Sequence, residues 1–309
     1  MMQRQFLTVW LFLIQITLVF GQDLPEVKLD QAWKEKIHSL SPEKATFPVS
    51  KKKNILVFSL HTGFEHWVIP HTEEMIKIIS DKSGAFQVTG SKDISMFEPE
   101  NLIKFDAIVL NNTCSKGDHR NLFWDKLRTE SDADSALLMK KALQLEENLI
   151  QYVENGGGLF LVHGAVTTQN NSRAFSRLVG ASFDYHPPQQ PIQIRLADPN
   201  HPLVQAFPAA GFNHVDEPYF YKNAYSELDF KPLLYFHNSE ITGQKNPLTE
   251  GKTYVAWIRA QGKGKVMYCS PSHNAQSFEN SDLLRFFLNG LQYVVGDVEC
   301  DETPIGNNL

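Results

Sequence analysis

The chain has 309 residues, 42% of them hydrophobic, and a formal net charge of −6. That length suits one large α/β domain, or one domain with insertions, around a substantial core. Net negative charge without a basic block argues against nucleic acid and against an anionic membrane surface as partners.

Residues 1–21 carry Arg4, then an apolar run from Phe6 to Phe20 closed by the small Gly21. This is the build of a secretory signal peptide cleaved before Gln22, so a secreted or periplasmic product is expected. No other segment is long and apolar enough to cross a bilayer, so no stable membrane insertion is expected after cleavage. The cysteines, Cys114, Cys269 and Cys300, are odd in number and lack metal-ligand spacing, which supports neither a disulfide framework nor a cysteine zinc site. Asn111 and Asn170 each begin an N-x-[ST] triplet, which matters only if the host glycosylates its exports.

Residues 22–53 are polar, with Pro25, Pro42 and Pro48, and read as an extended arm. NILVFSL at 54–60 reads as a first buried parallel strand. The loop at 61–69 is longer than the two to six residues usual there, and its His61, Gly63, Glu65, His66 and Trp67 suit binding rather than turning. Pro70 opens a helix. A strand is expected over 86–91, a short helix over 99–104, and a third strand over 106–112 that ends in Asn111 and Asn112. The charged stretch 113–135 has no evident structure and the length of a lid or binding loop. A strong helix spans 136–154, with Leu138, Ala142, Leu145, Leu149 and Val153 at helical spacing.

NGGGLFLVHGA follows at 155–165. The glycines precede a strand instead of following one, so they read as a helix stop and not as a phosphate cradle. The apolar run 159–162 reads as a central strand, with His163 at its carboxyl end. Beyond it come a short helix at 173–179, strands over 191–197 and 231–237, a hairpin of strands over 253–260 and 265–270, and a closing helix over 283–293. The 54–296 region thus forms one domain of βαβ units, a doubly wound, mostly parallel sheet, and 297–309 reads as a loose tail.

Parallel strands share one carboxyl edge, where ligands collect. His61, Asn112, His163 and His273 should therefore face one crevice, although the last strand, on which His273 depends, could run antiparallel. Histidines joined by Glu65 and Glu217 suit general acid–base work or a divalent metal such as zinc, with His61, His163 and His273 as ligands. In DEPYFY at 216–221, Glu217 is the polar candidate, and Tyr219 could stack on a sugar face.

The motifs HTGFEH at 61–66, GGGLFLVHGA at 156–165, FDYHPP at 183–188, DEPYFY at 216–221 and GKGKVMYCSPSH at 262–273 together resemble the ThuA-like family, named for a trehalose utilisation protein. The resemblance implies a flavodoxin-like, three-layer α/β/α sandwich of the class I glutamine amidotransferase type, with His163 near the elbow where those enzymes carry cysteine. It also implies a role in sugar utilisation, notably of oxidised (3-keto) disaccharides. Carried over by motif, His61, Glu65, His66, His163, His186, Glu217 and His273 are the site positions. The expectation is an exported enzyme on a glycoside or keto-sugar. His163, His61, Glu217 and His273 would be catalytic, and Glu65, His66, Trp67, Asn112, His186 and Tyr219 would hold substrate. Its partner is a small carbohydrate, and a homo-oligomer is compatible with everything above. The rivals are a non-catalytic carbohydrate-binding or scaffold protein, and an amidotransferase-like hydrolase using Cys114.

Overall fold

The computed structural model describes residues 24–247 and 250–308, so the expected signal segment lies outside the described residues. The arm is not simply extended. It contains helix α1 (Gln31–Leu40), started by the Asp30 side chain, which accepts from the Trp33 backbone N–H, and anchored by buried Trp33 and Ile37. Two anchors four residues apart make too short an apolar stripe to stand out among prolines. Farther on, the Gln292 amide clamps the arm, accepting from the backbones of Thr46 and Phe47 at 2.9 and 3.1 Å and donating to the Phe47 carbonyl at 2.9 Å.

Strand β1 (Lys53–Phe58), helix α2 (Ile69–Ser83), strand β2 (Phe86–Ser91), helix α3 (Pro99–Leu102) and strand β3 (Ala107–Asn111) follow as the βαβ pattern predicts. The stretch 113–135 is not structureless. It holds helix α4 (Leu122–Glu130), begun by the Asn121 side chain, which accepts from Trp124 N–H at 2.9 Å. Helix α5 (Ser135–Glu154) stops as expected at the glycines, with Gly156 at φ 117°. Strand β4 (Gly158–Val162) then runs into helix α6 (Arg173–Val179).

The second half supplies β5 (Ser182–Tyr185), β6 (Gln190–Leu196), β7 (Phe212–Asp216), β8 (Phe220–Lys222), β9 (Lys231–His237), β10 (Lys252–Gln261), β11 (Gly264–Cys269) and helix α7 (Ser281–Val294). The large sheet has nine strands in the order β2-β1-β3-β4-β11-β10-β9-β6-β7. Its first five are parallel, in the order of a flavodoxin-like doubly wound sheet. From β11 outward the pairing is antiparallel. β5 and β8 form a separate two-stranded ribbon.

β4 shows why its sequence is wholly apolar. Leu159 and Leu161 enter one core with Leu145, Leu149 and Phe175, while Phe160 and Val162 enter the other with Met75, Phe287 and Leu291. Helices therefore cover both faces, giving a three-layer α/β/α sandwich with β4 at its centre. The tail past Gly296 is tied down rather than loose. Lys265 donates to the Val298 carbonyl at 2.8 Å and pairs with Glu302 at 3.0 Å, Lys231 pairs with Asp301, and Ile305 N–H donates to the Phe230 carbonyl at 3.2 Å.

Candidate functional site

The site begins with two backbone kinks at the carboxyl edge. Asn112, just past β3, has φ 52°, and His163, just past β4, has φ 45°. A non-glycine residue held in the left-handed region costs roughly 1–3 kcal/mol and persists only where its surroundings impose it. Here they do. Gly164 N–H donates to Asn112 Oδ1 at 3.2 Å, and the Tyr268 hydroxyl donates to the His163 carbonyl at 3.2 Å. Gly164 itself must lack a side chain, because a Cβ there would lie 2.7 Å from both Cys114 Sγ and His66 Cε1.

The kink turns the His163 ring inward, where Nδ1 meets the Ser270 carbonyl at 2.8 Å. A carbonyl can only accept, so this contact places a proton on Nδ1 and points Nε2 into the pocket. Facing it are Glu217 Oε2 at 3.3 Å and His273 Nδ1 at 3.1 Å, themselves 3.2 Å apart. The His66 ring lies 5.1 and 5.2 Å from the His163 and His273 rings, and the four residues offer ligand atoms within 4.8 Å of one another. Because β11 pairs in parallel with β4, His273 reaches the same edge as His163. Glu217 arrives from the far end of the sheet, following β7.

Burial alone would raise the pKa of Glu217, but hydrogen bonds and positive charge from His163 and His273 outweigh it and hold the carboxyl well below its usual range. His66 goes the other way: burial, then the charge of His163 and His273, keep it neutral to well below the ordinary histidine range. Glu217 is thus held ionised by positive charge beside it, which either protonated rings or a bound cation in place of their protons can supply. Separations of 3.1–3.3 Å also match the edge of a zinc tetrahedron, about 3.3 Å for bonds of ~2.0–2.1 Å. The residues present thus fit a divalent ion held by His163, His273 and Glu217, with His66 as a fourth donor.

Other expected site residues fall elsewhere. His61 stays outside the cluster and pairs with exposed Glu65 at 3.5 Å, so His66 occupies the place expected for His61. Trp67 packs edge-on against His71, and the Asn112 side chain is fully buried within the elbow. His186 does reach the site, with Nε2 3.7 Å from Glu217 Oε1 and its ring stacked on Tyr219, whose own ring lies 4.4 Å from His163. Cys114 touches His66 Nδ1 at 3.6 Å, but burial pushes its thiol up to about 11, the wrong direction for a nucleophile. Neither glycosylation triplet offers a free amide: Asn111 donates to Ser59 Oγ and the Ile69 carbonyl, and Asn170 donates to the Phe183 carbonyl.

Sequence reasoning missed Asp216. This buried carboxylate accepts from Glu217 N–H at 2.8 Å, from His273 N–H at 3.3 Å and from His214 Nε2 at 2.5 Å. One side chain thus fixes the backbone of two candidate ligands. The charge and hydrogen bond of His214 overcome the effect of burial and hold Asp216 below the usual carboxylate range. Reading 212–216 as a strand with its ends facing inward would have pointed to it.

Over the cluster lies a cavity of about 270 Å³, walled by Phe64, Ser115, Arg120, His186 and Tyr219 among others. A larger one, about 520 Å³, opens at the opposite edge of the sheet near Lys53 and Tyr152. It gathers no set of donors, since Lys53 pairs with Asp106 there. The smaller cavity is therefore the better candidate.

Fold and site together define a flavodoxin-like α/β sandwich whose crevice carries histidines and a glutamate. The model of the ThuA family, described as trehalose utilisation, matches residues 54–294, and the chain belongs to that family. Among solved structures it is similar to a ThuA-like protein from Bacteroides uniformis, with 19% identity, TM-score 0.59, and coverage of 81% of this chain and 94% of that one. A ThuA-like protein from Parabacteroides merdae is also similar, with 15% identity, TM-score 0.55, and coverage of 82% and 98%. No curated protein matches the chain in sequence.

Proposed function

We propose that this protein is an exported, metal-dependent enzyme that carries out acid–base chemistry on a keto-sugar. The carrying observation is the convergence of His163 Nε2, His273 Nδ1 and Glu217 Oε2 within 3.1–3.3 Å beneath a cavity of sugar-unit size. The family's description supports a carbohydrate, and the keto-sugar follows from the family resemblance.

A divalent ion at this cluster would polarise a substrate carbonyl or lower the pKa of bound water. The protein's own groups would do the rest. His163 is held in one tautomer by Ser270, and Glu217 stays ionised. His186, on the open side of Glu217, can hold or release a proton at Nε2. Phe64, 64% exposed at the rim, presents a flat apolar face to a sugar ring.

Elemental analysis of the purified protein should find about one divalent ion per chain, lost in His163→Ala and Glu217→Gln. Turnover should appear on oxidised disaccharides rather than ordinary ones and fall about 10²–10⁴-fold in His163→Ala. Stoichiometric sugar binding without turnover, indifferent to that substitution, would instead establish a binding module. Amino-terminal sequencing of the exported protein should begin at Gln22.

A further inference from the structure

Arg120 is the charged group of this cavity that the proposed chemistry does not use. It stands between β3 and α4 with φ 47°, a third non-glycine residue in the left-handed region at this crevice. Such strain is a reason to ask what the side chain is held for. The side chain forms part of the cavity wall together with Phe64, His186 and Glu217. Its Nε is buried without a hydrogen-bond partner, and no carboxylate pairs with its guanidinium among the described residues. Glu217, the acidic group of the cavity wall, is already engaged by His163, His273 and His186.

We infer that Arg120 is a specificity residue and that the sugar this crevice takes carries a carboxylate, as a uronic or aldonic acid does. The guanidinium is a planar fork that matches a carboxylate in two parallel hydrogen bonds. A phosphate monoester fits less well, because it carries close to two negative charges at neutral pH and, among the described residues, Arg120 is the one arginine or lysine of the cavity wall. The cavity volume, about 270 Å³, lies near the low end for ligand sites, which suits a single acidic sugar unit.

This inference rests on reading the crevice as a sugar site, and one titration separates the two. Calorimetry on the full-length protein would compare neutral hexoses and disaccharides, their uronic and aldonic acids, and hexose phosphates. The acids should bind about tenfold or more tightly than their neutral partners. Arg120→Gln should erase that preference while leaving neutral-sugar affinity in place, and Arg120→Lys, which keeps the charge but loses the fork, should retain only part of it. If Arg120→Gln does not fold, as judged by its melting curve, the lysine variant carries the comparison. Equal binding of acids and neutral sugars, or a preference that survives in the variants, overturns the role of Arg120 and leaves the sugar reading standing. Tighter binding of the phosphates overturns the carboxylate assignment. Binding of none of these compounds overturns both readings.

Discussion

Asp216 does not line the candidate cavity, yet it holds the backbone N–H groups of Glu217 and His273 and so spaces two of the donors. Supports of this kind typically change metal affinity 10–100-fold when removed. Asp216→Asn should therefore weaken ion binding by about that factor in a competition titration with a chelator, while Glu217 and His273 remain chemically intact. Cys114 makes the opposite case. With its thiol raised by burial, Cys114→Ser should leave turnover within a few-fold of wild type, and loss of all activity would revive the thiol mechanism. Much of this cluster could be read from residue type and position: His163 ends a recognisable strand, and His66, Glu217 and His273 lie in recognisable motifs. His61 could not be told from His66, because both lie in one irregular loop with no period to say which ring turns inward. Arg120 lies in no motif, and Asp216 opens DEPYFY without any sign there of what it holds, so their roles come from contacts between segments far apart in sequence.

At the scale of elements, the elbow after β4 is the most constrained feature. A methyl group at Gly164 would overlap Cys114 and His66 at 2.7 Å, so Gly164→Ala should displace His66. The expected cost is about 1–3 kcal/mol of stability in denaturant melts, together with weakened ion binding, because the neighbours are themselves packed. Elements with long or strongly periodic patterns, β1, α5, β4 and α7, were legible to within a residue or two. Those missed share a cause. α1 has two buried anchors, α4 lies in a charged stretch, and β5, β7 and β8 are three to five residues long, too short for alternation to register. Glu217 hangs from one of these short strands, which is why its partners could be named while its route to them could not.

The molecule as a whole should be sensitive to mild acid. Burial lowers the pKa of His71 and His201 from the ordinary histidine value, so each folds in the neutral form. Below about pH 6.5 the unfolded chain then binds more protons than the folded one, and stability falls as pH drops. Asp216, held below its usual range, adds a loss of the same sign at lower pH. The melting temperature should therefore decline between pH 7 and pH 5, and a flat or rising profile would contradict this assignment.

The candidate ligands come from positions 66, 163, 217 and 273, and Glu217 enters through the antiparallel half of the sheet. In zinc fingers, neighbouring ligands let the ion nucleate the structure. No such shortcut exists in this chain, because during synthesis the complete donor set does not exist until the last strand of the described residues, β11, has emerged. Ion capture would then mark the end of folding, and a mature apoprotein should keep its secondary structure and accept the ion afterwards.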